Sequence, residues 1–187
     1  MTYLEVDAEL ASDEKLKHLY EISTRLKQKR VERDAVVFTQ PELRIKVNAD
    51  KQITLQRVER DSPAQYLVSE MMIWANHLVA LKLGRAGLPL IYKTQEAPQE
   101  TLTDGRPMLK RAEMSTRMGL HFGLGLDAYT QFTSPIRRYN DLILHRQIKS
   151  WLRKGKEMYS EPEIQHIISL SDQAVFSANY IQRYNYR

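Results

Sequence analysis

Apolar residues return at helical spacing in four stretches of this chain. After Asp13 and Glu14, the residues Leu16, Leu19, Tyr20, Ile22, Leu26 and Val31 recur every three or four positions, and a run of lysines and arginines forms the outer face. A second helix is predicted where Ser62 stands as N-cap before Pro63, with Leu67, Met71, Trp74, Ala75, Leu78 and Val79 as its apolar stripe to about Gly84. Two more are expected from Ser134 to about Arg153 and from Glu163 to about Arg183. Between the first two helices, Ala35 to Phe38, Leu43 to Val47 and Ile53 to Val58 read as short strands divided by Gln40-Pro41 and Asn48-Ala49-Asp50, which predicts a three-stranded antiparallel meander. The first ten residues read as extended. Leu88 to about Met108 reads as a proline-bearing loop, whose Thr103-Asp104-Gly105-Arg106-Pro107 turn leads into a short helical stretch. The helical pattern still runs at the last residue without a cap or stop signal, and no internal repeat or linker appears, so the expectation is one unit truncated at both ends.

Composition narrows the partners. The hydrophobic fraction of 42% beside 27% charged residues is that of a globular protein, with too little Gly and Pro for a disordered or fibrous chain. A formal charge of +5 favours a polyanionic partner without identifying one. The absence of cysteine excludes disulfides, thiolate metal sites and a cysteine nucleophile, and fits a reducing compartment; a cytoplasmic location is the expectation. No apolar run approaches the ~18 residues of a membrane span.

The chemistry concentrates between His121 and Leu152, HFGLGLDAYTQFTSPIRRYNDLILHRQIKSWL. Ser134 before Pro135 reads as a helix start, which puts Arg137 and Arg138 in the first turn, where the partial positive charge of the helix end disfavours them. A bound anion resolves that conflict: free backbone N–H groups, the Ser134 hydroxyl and forked guanidinium groups together make a phosphate site. Tyr129, Phe132 and Tyr139 are placed to stack on bases, and the combination points to single-stranded nucleic acid. Plainer readings stand beside this one. Arg137 is spaced for an intrahelical salt bridge to Asp141, Arg138 for simple solvation, Tyr139, Leu142 and Ile143 for the core, and His145 for a structural hydrogen bond.

The run HFGLGLDAYTQFTSPIRRYNDLILHR resembles the signature of the RNB ribonucleases, the family of RNase II and RNase R. The likeness extends to MTYLEVDAEL, to DAVVF and to LVSEMMIWANHLVALKL, nearly the whole chain. The resemblance implies a mixed, helix-rich α/β fold: the C-terminal half of a catalytic domain that trims single-stranded RNA processively from its 3′ end to nucleoside 5′-monophosphates. It implies that Arg137 contacts the phosphate at the scissile end, that Phe38 clamps the last bases, and that an acidic residue on the long helix contacts the terminal nucleotide. That last position reads Ser69-Glu70 here; Glu70 is the candidate, with an ordinary exposed helix carboxylate as the alternative. Arg138, Ser134, Tyr129 and Tyr139 complete the expected RNA-binding set, and Asn76 is read as a buried hydrogen-bonding support. Relatives cleave with magnesium, and this sequence has no dense aspartate cluster. The Mg2+ ligands are therefore expected upstream, in a missing N-terminal half of the same polypeptide, and the fragment alone is expected to be inactive. The alternative is a noncatalytic RNA-binding or regulatory protein derived from the same fold.

Overall fold

The computed structural model describes residues 2–37, 42–48, 50, 52–58, 62–102 and 107–185. Its internal contacts divide the chain into two compact units, Met1–Ile73 and Trp74–Arg187, where the sequence had suggested one.

The first unit begins with a helix rather than an extended segment: α1, Tyr3–Glu9. Thr2 and Glu5 form a reciprocal capping box, with the Glu5 N–H donating to the Thr2 hydroxyl at 3.3 Å and the Thr2 N–H donating to the Glu5 carboxylate at 2.6 Å. A cap can therefore define seven residues that are too few to show periodicity. Helix α2, Glu14–Val31, starts as predicted, the Asp13 carboxylate accepting from the N–H groups of Lys15 and Leu16 at 2.7 and 3.1 Å. Its burial differs from the pattern. Leu19, Ile22 and Val31 stay exposed, and the buried side chains are Ser23 and Arg30. Residues 35–37 are irregular and Phe38 lies outside the described residues, so the described meander reduces to a hairpin of β1, Glu42–Val47, and β2, Ile53–Val58, with Ile45 opposite Leu55. Helix α3, Pro63–Arg85, opens where Ser62 and Pro63 predicted; the Ser62 hydroxyl accepts from the Gln65 N–H at 3.3 Å and the Asp7 carboxylate from the Ala64 N–H at 2.7 Å. The boundary between the units falls within this helix.

The second unit holds the hydrophobic core, in which Ala80 and Leu83 of α3 meet Leu88, Leu90, Ile91, Tyr92, Ala128, Ile143, Leu144, Ile164 and Ile168. The supposed loop after Leu88 contains strand β3, Tyr92–Thr94, paired antiparallel with β4, Glu113–Ser115, where a short helical stretch had been expected. These strands are too short to signal themselves locally. They are fixed by tertiary partners, among them the Tyr129 carbonyl, which accepts from the Lys93 N–H at 2.8 Å. A 3-10 turn follows at Phe122–Leu124, closed by Gly125 at φ 64°. Gly123 donates its N–H to the Gln95 side-chain oxygen at 2.8 Å, and a β-carbon there would meet that oxygen at 2.7 Å, so a larger residue would displace the Gln95 amide.

Helix α4, Tyr139–Lys154, starts later than predicted and ends on Gly155 at φ 64°. The buried Gln147 holds the link to α5: its side-chain oxygen accepts from the N–H groups of Met158 and Tyr159, and its Nε2 donates to the carbonyls of Pro89 and Tyr159. Helix α5, Glu161–Asn185, buries Ile164 and Ile168 in its first half, while Leu170, Phe176, Tyr180 and Ile181 farther along are exposed.

Candidate nucleic-acid interface

The segment from Tyr129 to Arg138 is irregular, so each of its backbone groups needs a partner from elsewhere. Asn76 on α3 supplies several. Its side-chain oxygen accepts from the Phe132 N–H at 3.1 Å, and its Nδ2 donates to the Tyr129 hydroxyl at 3.1 Å and to the Thr133 hydroxyl at 3.5 Å. Asn76 is 2% exposed, a buried support as expected. His145 on α4 donates from Nε2 to the Phe132 carbonyl at 2.6 Å, the structural role read for it.

Asp141 secures the other end of the segment. Its buried carboxylate accepts from the Ser134 N–H at 2.8 Å and from Arg138 Nη2 at 2.7 Å, while the Arg137 and Arg138 N–H groups return to the Ser134 carbonyl at 3.3 and 3.1 Å. Residues 134–138 thus form a tight turn ahead of the helix. Arg138 occupies the N-cap position in an extended conformation (φ −128°) and α4 begins at Tyr139. This corrects the predicted helix start at Ser134: neither arginine lies in the first helical turn, and Asp141 occupies it, the sign of charge that position favours. The Ser134 N–H is bound by Asp141, and the free helix-start N–H groups expected beside the Ser134 hydroxyl are replaced by this turn. Arg138, and not Arg137, is the arginine paired with Asp141.

The turn projects Ile136 and Arg137 into solvent, Ile136 completely so. Among the described residues the Arg137 guanidinium has no hydrogen-bond or ion-pair partner. Beside it Tyr139 is 57% exposed, which places it on the surface and not in the core. Tyr129 is the reverse case. It is 6% exposed, its hydroxyl is engaged by Asn76, and its ring meets His121 edge-on at 5.4 Å, so no face is open to a base. The stacking predicted for Tyr129 is replaced by a packing role that comes from its position beside the core.

Arg137, Arg138 and Tyr139 border a cleft of about 1580 Å³, which runs between β3, β4 and the middle of α5 and is also lined by Lys93 and Arg111. Burial lowers the Lys93 ammonium pKa from its ordinary range, and the nearby Arg138 and Arg111 guanidinium groups lower it further. His121, in the same neighbourhood, is pushed down to about 4 by burial and then by the Lys93 charge. Neither Lys93 nor Arg111 was singled out in the sequence. The available signal was one lysine directly after the apolar run Leu88 to Tyr92.

Glu70 lies in the first unit and is 4% exposed. Both of its carboxylate oxygens are engaged by Arg30, one from Nε at 3.1 Å and the other from Nη2. It is not the exposed helix carboxylate considered as the alternative, and its hydrogen-bonding capacity is largely spent on Arg30. Among the described residues, no group of three or more histidine, aspartate or glutamate side chains is placed to hold a metal ion, and no helix is long and apolar enough to cross a membrane.

Comparison with known proteins gives one consistent answer. The RNB domain pattern matches residues 1–104 and 105–154. Ribonuclease II, chloroplastic/mitochondrial, of Arabidopsis thaliana is 36% identical over 84% of this chain, and an uncharacterized ribonuclease of Synechocystis is 33% identical over 90%. The chain spans about a quarter of the length of these relatives, 22% and 28% respectively. Among solved structures, the Dss1 exoribonuclease of Candida glabrata superposes with a TM-score of 0.79 at 24% identity, over 96% of this chain and 27% of its own. Mycoplasma genitalium RNase R in complex with ribose-methylated single-stranded RNA gives 0.73 at 19% identity, over 98% and 38%. Yeast Ssd1, a pseudonuclease, gives 0.62 at 16% identity, over 94% and 28%.

Proposed function

The chain belongs to the RNB domain family, and from that premise we propose that it forms the RNA-gripping part of a processive 3′-to-5′ exoribonuclease that hydrolyses single-stranded RNA to nucleoside 5′-monophosphates. One observation carries the reading: Asp141 and Asn76 fold the 129–138 segment into a turn that leaves Arg137 free and exposed at a cleft with further cations. A planar guanidinium presented this way takes two non-bridging oxygens of a phosphate and stabilises the charge that builds on them as water attacks phosphorus. Tyr139 offers a ring face beside it, and Arg138, fixed against Asp141, adds positive potential. In this reading Phe38 clamps the terminal bases and Glu70, through Arg30, supports α3. Magnesium, if held by carboxylates elsewhere in the polypeptide, would supply the activated water. The described residues do not fit it, and its carboxylates are assigned to another segment of a longer polypeptide, which is also this chain's first partner.

A second reading has specific support. The fold is shared with a pseudonuclease, so this chain serves equally as an RNA-binding module without cleavage if the polypeptide that carries it lacks metal carboxylates. The test is 3′ trimming of an end-labelled single-stranded RNA by the intact protein with magnesium, beside the Arg137→Ala variant. Trimming that falls by about two to three orders of magnitude in the variant, with little change in RNA affinity, supports the exonuclease. RNA binding without trimming in the unaltered protein favours the noncatalytic module, and equal trimming by both proteins removes Arg137 from the account.

A further inference from the structure

The cleft beside Arg137 contains donors that are poorly satisfied among the described residues. Lys93 lies on β3 directly after the buried Ile91 and Tyr92, and its ammonium reaches one acceptor, the Gln131 side-chain oxygen, at 3.5 Å, the outer limit of a hydrogen bond. Its cross-strand neighbour on β4 is Met114. Glu113, opposite Thr94, and Asp172 of α5 line the same cleft, and neither is ion-paired to Lys93 among the described residues. Asp141 also lines the cleft and its charge partly offsets the crowding at Lys93, but its carboxylate is hydrogen-bonded by the Ser134 N–H and Arg138 Nη2. The Nε of Arg138 is itself buried without an acceptor. Arg111 lines the same cleft, also without a partner among the described residues.

A half-buried ammonium facing two guanidinium groups is a costly arrangement unless an anion compensates it. We propose that Lys93, Arg111 and the Nε of Arg138 form a second phosphate-binding subsite, which takes a backbone phosphodiester of single-stranded RNA apart from the phosphate held by Arg137. The inference rests on the RNA reading above. Two neighbours favour a ribonucleotide strand over an isolated anion. The exposed rings of Tyr139 and Phe176 lie on the walls of the same cleft and offer stacking faces. The side-chain oxygen of Asn140, buried there without a donor, is an acceptor that a phosphate cannot satisfy and a ribose hydroxyl can. Burial, and then the like charge of Arg138 and Arg111, lowers the Lys93 pKa against the opposing charge of Asp141, and a bound phosphate would counter the like-charge part.

The experiment measures binding of a labelled single-stranded RNA to the intact protein across a salt series, for the unaltered protein and for Lys93→Gln, Lys93→Arg, Arg111→Gln and Arg137→Ala. Each of Lys93→Gln and Arg111→Gln is expected to flatten the slope of log affinity against log salt by about 0.7, one phosphate contact on a single strand, while Lys93→Arg retains the slope. Thermal unfolding of Lys93→Met separates binding from structure: removing a half-buried cation that has no close ion pair leaves the melting temperature unchanged or raises it, whereas loss of a lysine with a structural role lowers it. Unchanged slopes in Lys93→Gln and Arg111→Gln, or a lowered melting temperature in Lys93→Met, overturn the second subsite. If Arg137→Ala still loses trimming in that case, the exonuclease reading stands without it; if Arg137→Ala trims normally, that reading fails first.

Discussion

Arg30 and Arg137 are the same residue type in two opposite settings. Arg30 comes from a lysine- and arginine-rich helical run that reads as solvated surface, yet it is 5% exposed and bound to Glu70 through both carboxylate oxygens. Arg137 comes from a turn whose local neighbours are all engaged: Ser134 with Asp141, Arg138 with Asp141, Phe132 with Asn76 and His145. With Ile136, it is left exposed, and its guanidinium has no partner among the described residues. The first arrangement uses a guanidinium to hold a helix pair in place, and the second leaves one without an internal partner, the setting on which the proposed phosphate contact rests. Stability and function should therefore separate cleanly between these two residues.

The largest effect is expected at the locked pair. Arg30→Ala leaves the Glu70 carboxylate buried and alone, and should lower unfolding free energy by about 3–5 kcal/mol in denaturant titration. Glu70→Gln sharpens the contrast: if Glu70 acts through packing, RNA trimming per folded molecule is retained, whereas a large loss of turnover at normal stability would make Glu70 an RNA contact after all. Next comes Arg137→Ala, for which turnover should fall about 10²–10³-fold while the melting curve is unchanged, because an exposed side chain without partners is being removed. Asp141→Asn lies between the two classes. It weakens two hydrogen bonds to a charged acceptor, each worth about 1.5–3 kcal/mol at most, and should lower both stability and turnover because the turn that presents Arg137 loosens. If Asp141→Asn changes stability alone, the turn is not what positions Arg137.

A pH dependence bears on neither arginine directly. His121 is held down to about 4 by burial and the Lys93 charge, below its unfolded value near 6.5, so the unfolded chain binds more protons between these values. Its contribution is present above about pH 6.5 and is lost as pH falls toward 4, with a slope below one proton per molecule. Unfolding midpoints measured across that window should drop toward acid, and His121→Gln should flatten the drop.

Much of the helical frame was legible because caps and period agree: Asp13 before α2, and Ser62-Pro63 before α3. The start of α4 was misread because Ser134-Pro135 imitates a helix N-terminus, while the acceptor that captures the Ser134 N–H is seven residues ahead and becomes a neighbour only after folding. Strands β3 and β4 were invisible for the same reason, since three residues carry no period and their ladder joins distant segments. Arg137 is singled out by its motif, and the structure leaves it exposed. Tyr129, Tyr139 and Glu70 were not assignable to surface or interior, because a tyrosine or glutamate beside apolar residues has the same local pattern in either place. Lys93 was overlooked as a lone charge, and only the packed cleft brings Arg111 and Arg138 to it.

The central claim is that Arg137 acts on the phosphate being cleaved. It is tested most directly by single-turnover cleavage of an RNA whose scissile phosphate has one non-bridging oxygen replaced by a neutral methyl group, using the unaltered protein and Arg137→Ala. If the guanidinium stabilises charge on those oxygens, the methyl substitution slows the unaltered protein strongly and adds little to the defect of the variant, because both remove the same interaction. Losses that simply multiply would show that Arg137 and the phosphate oxygens act independently, and would contradict the claim.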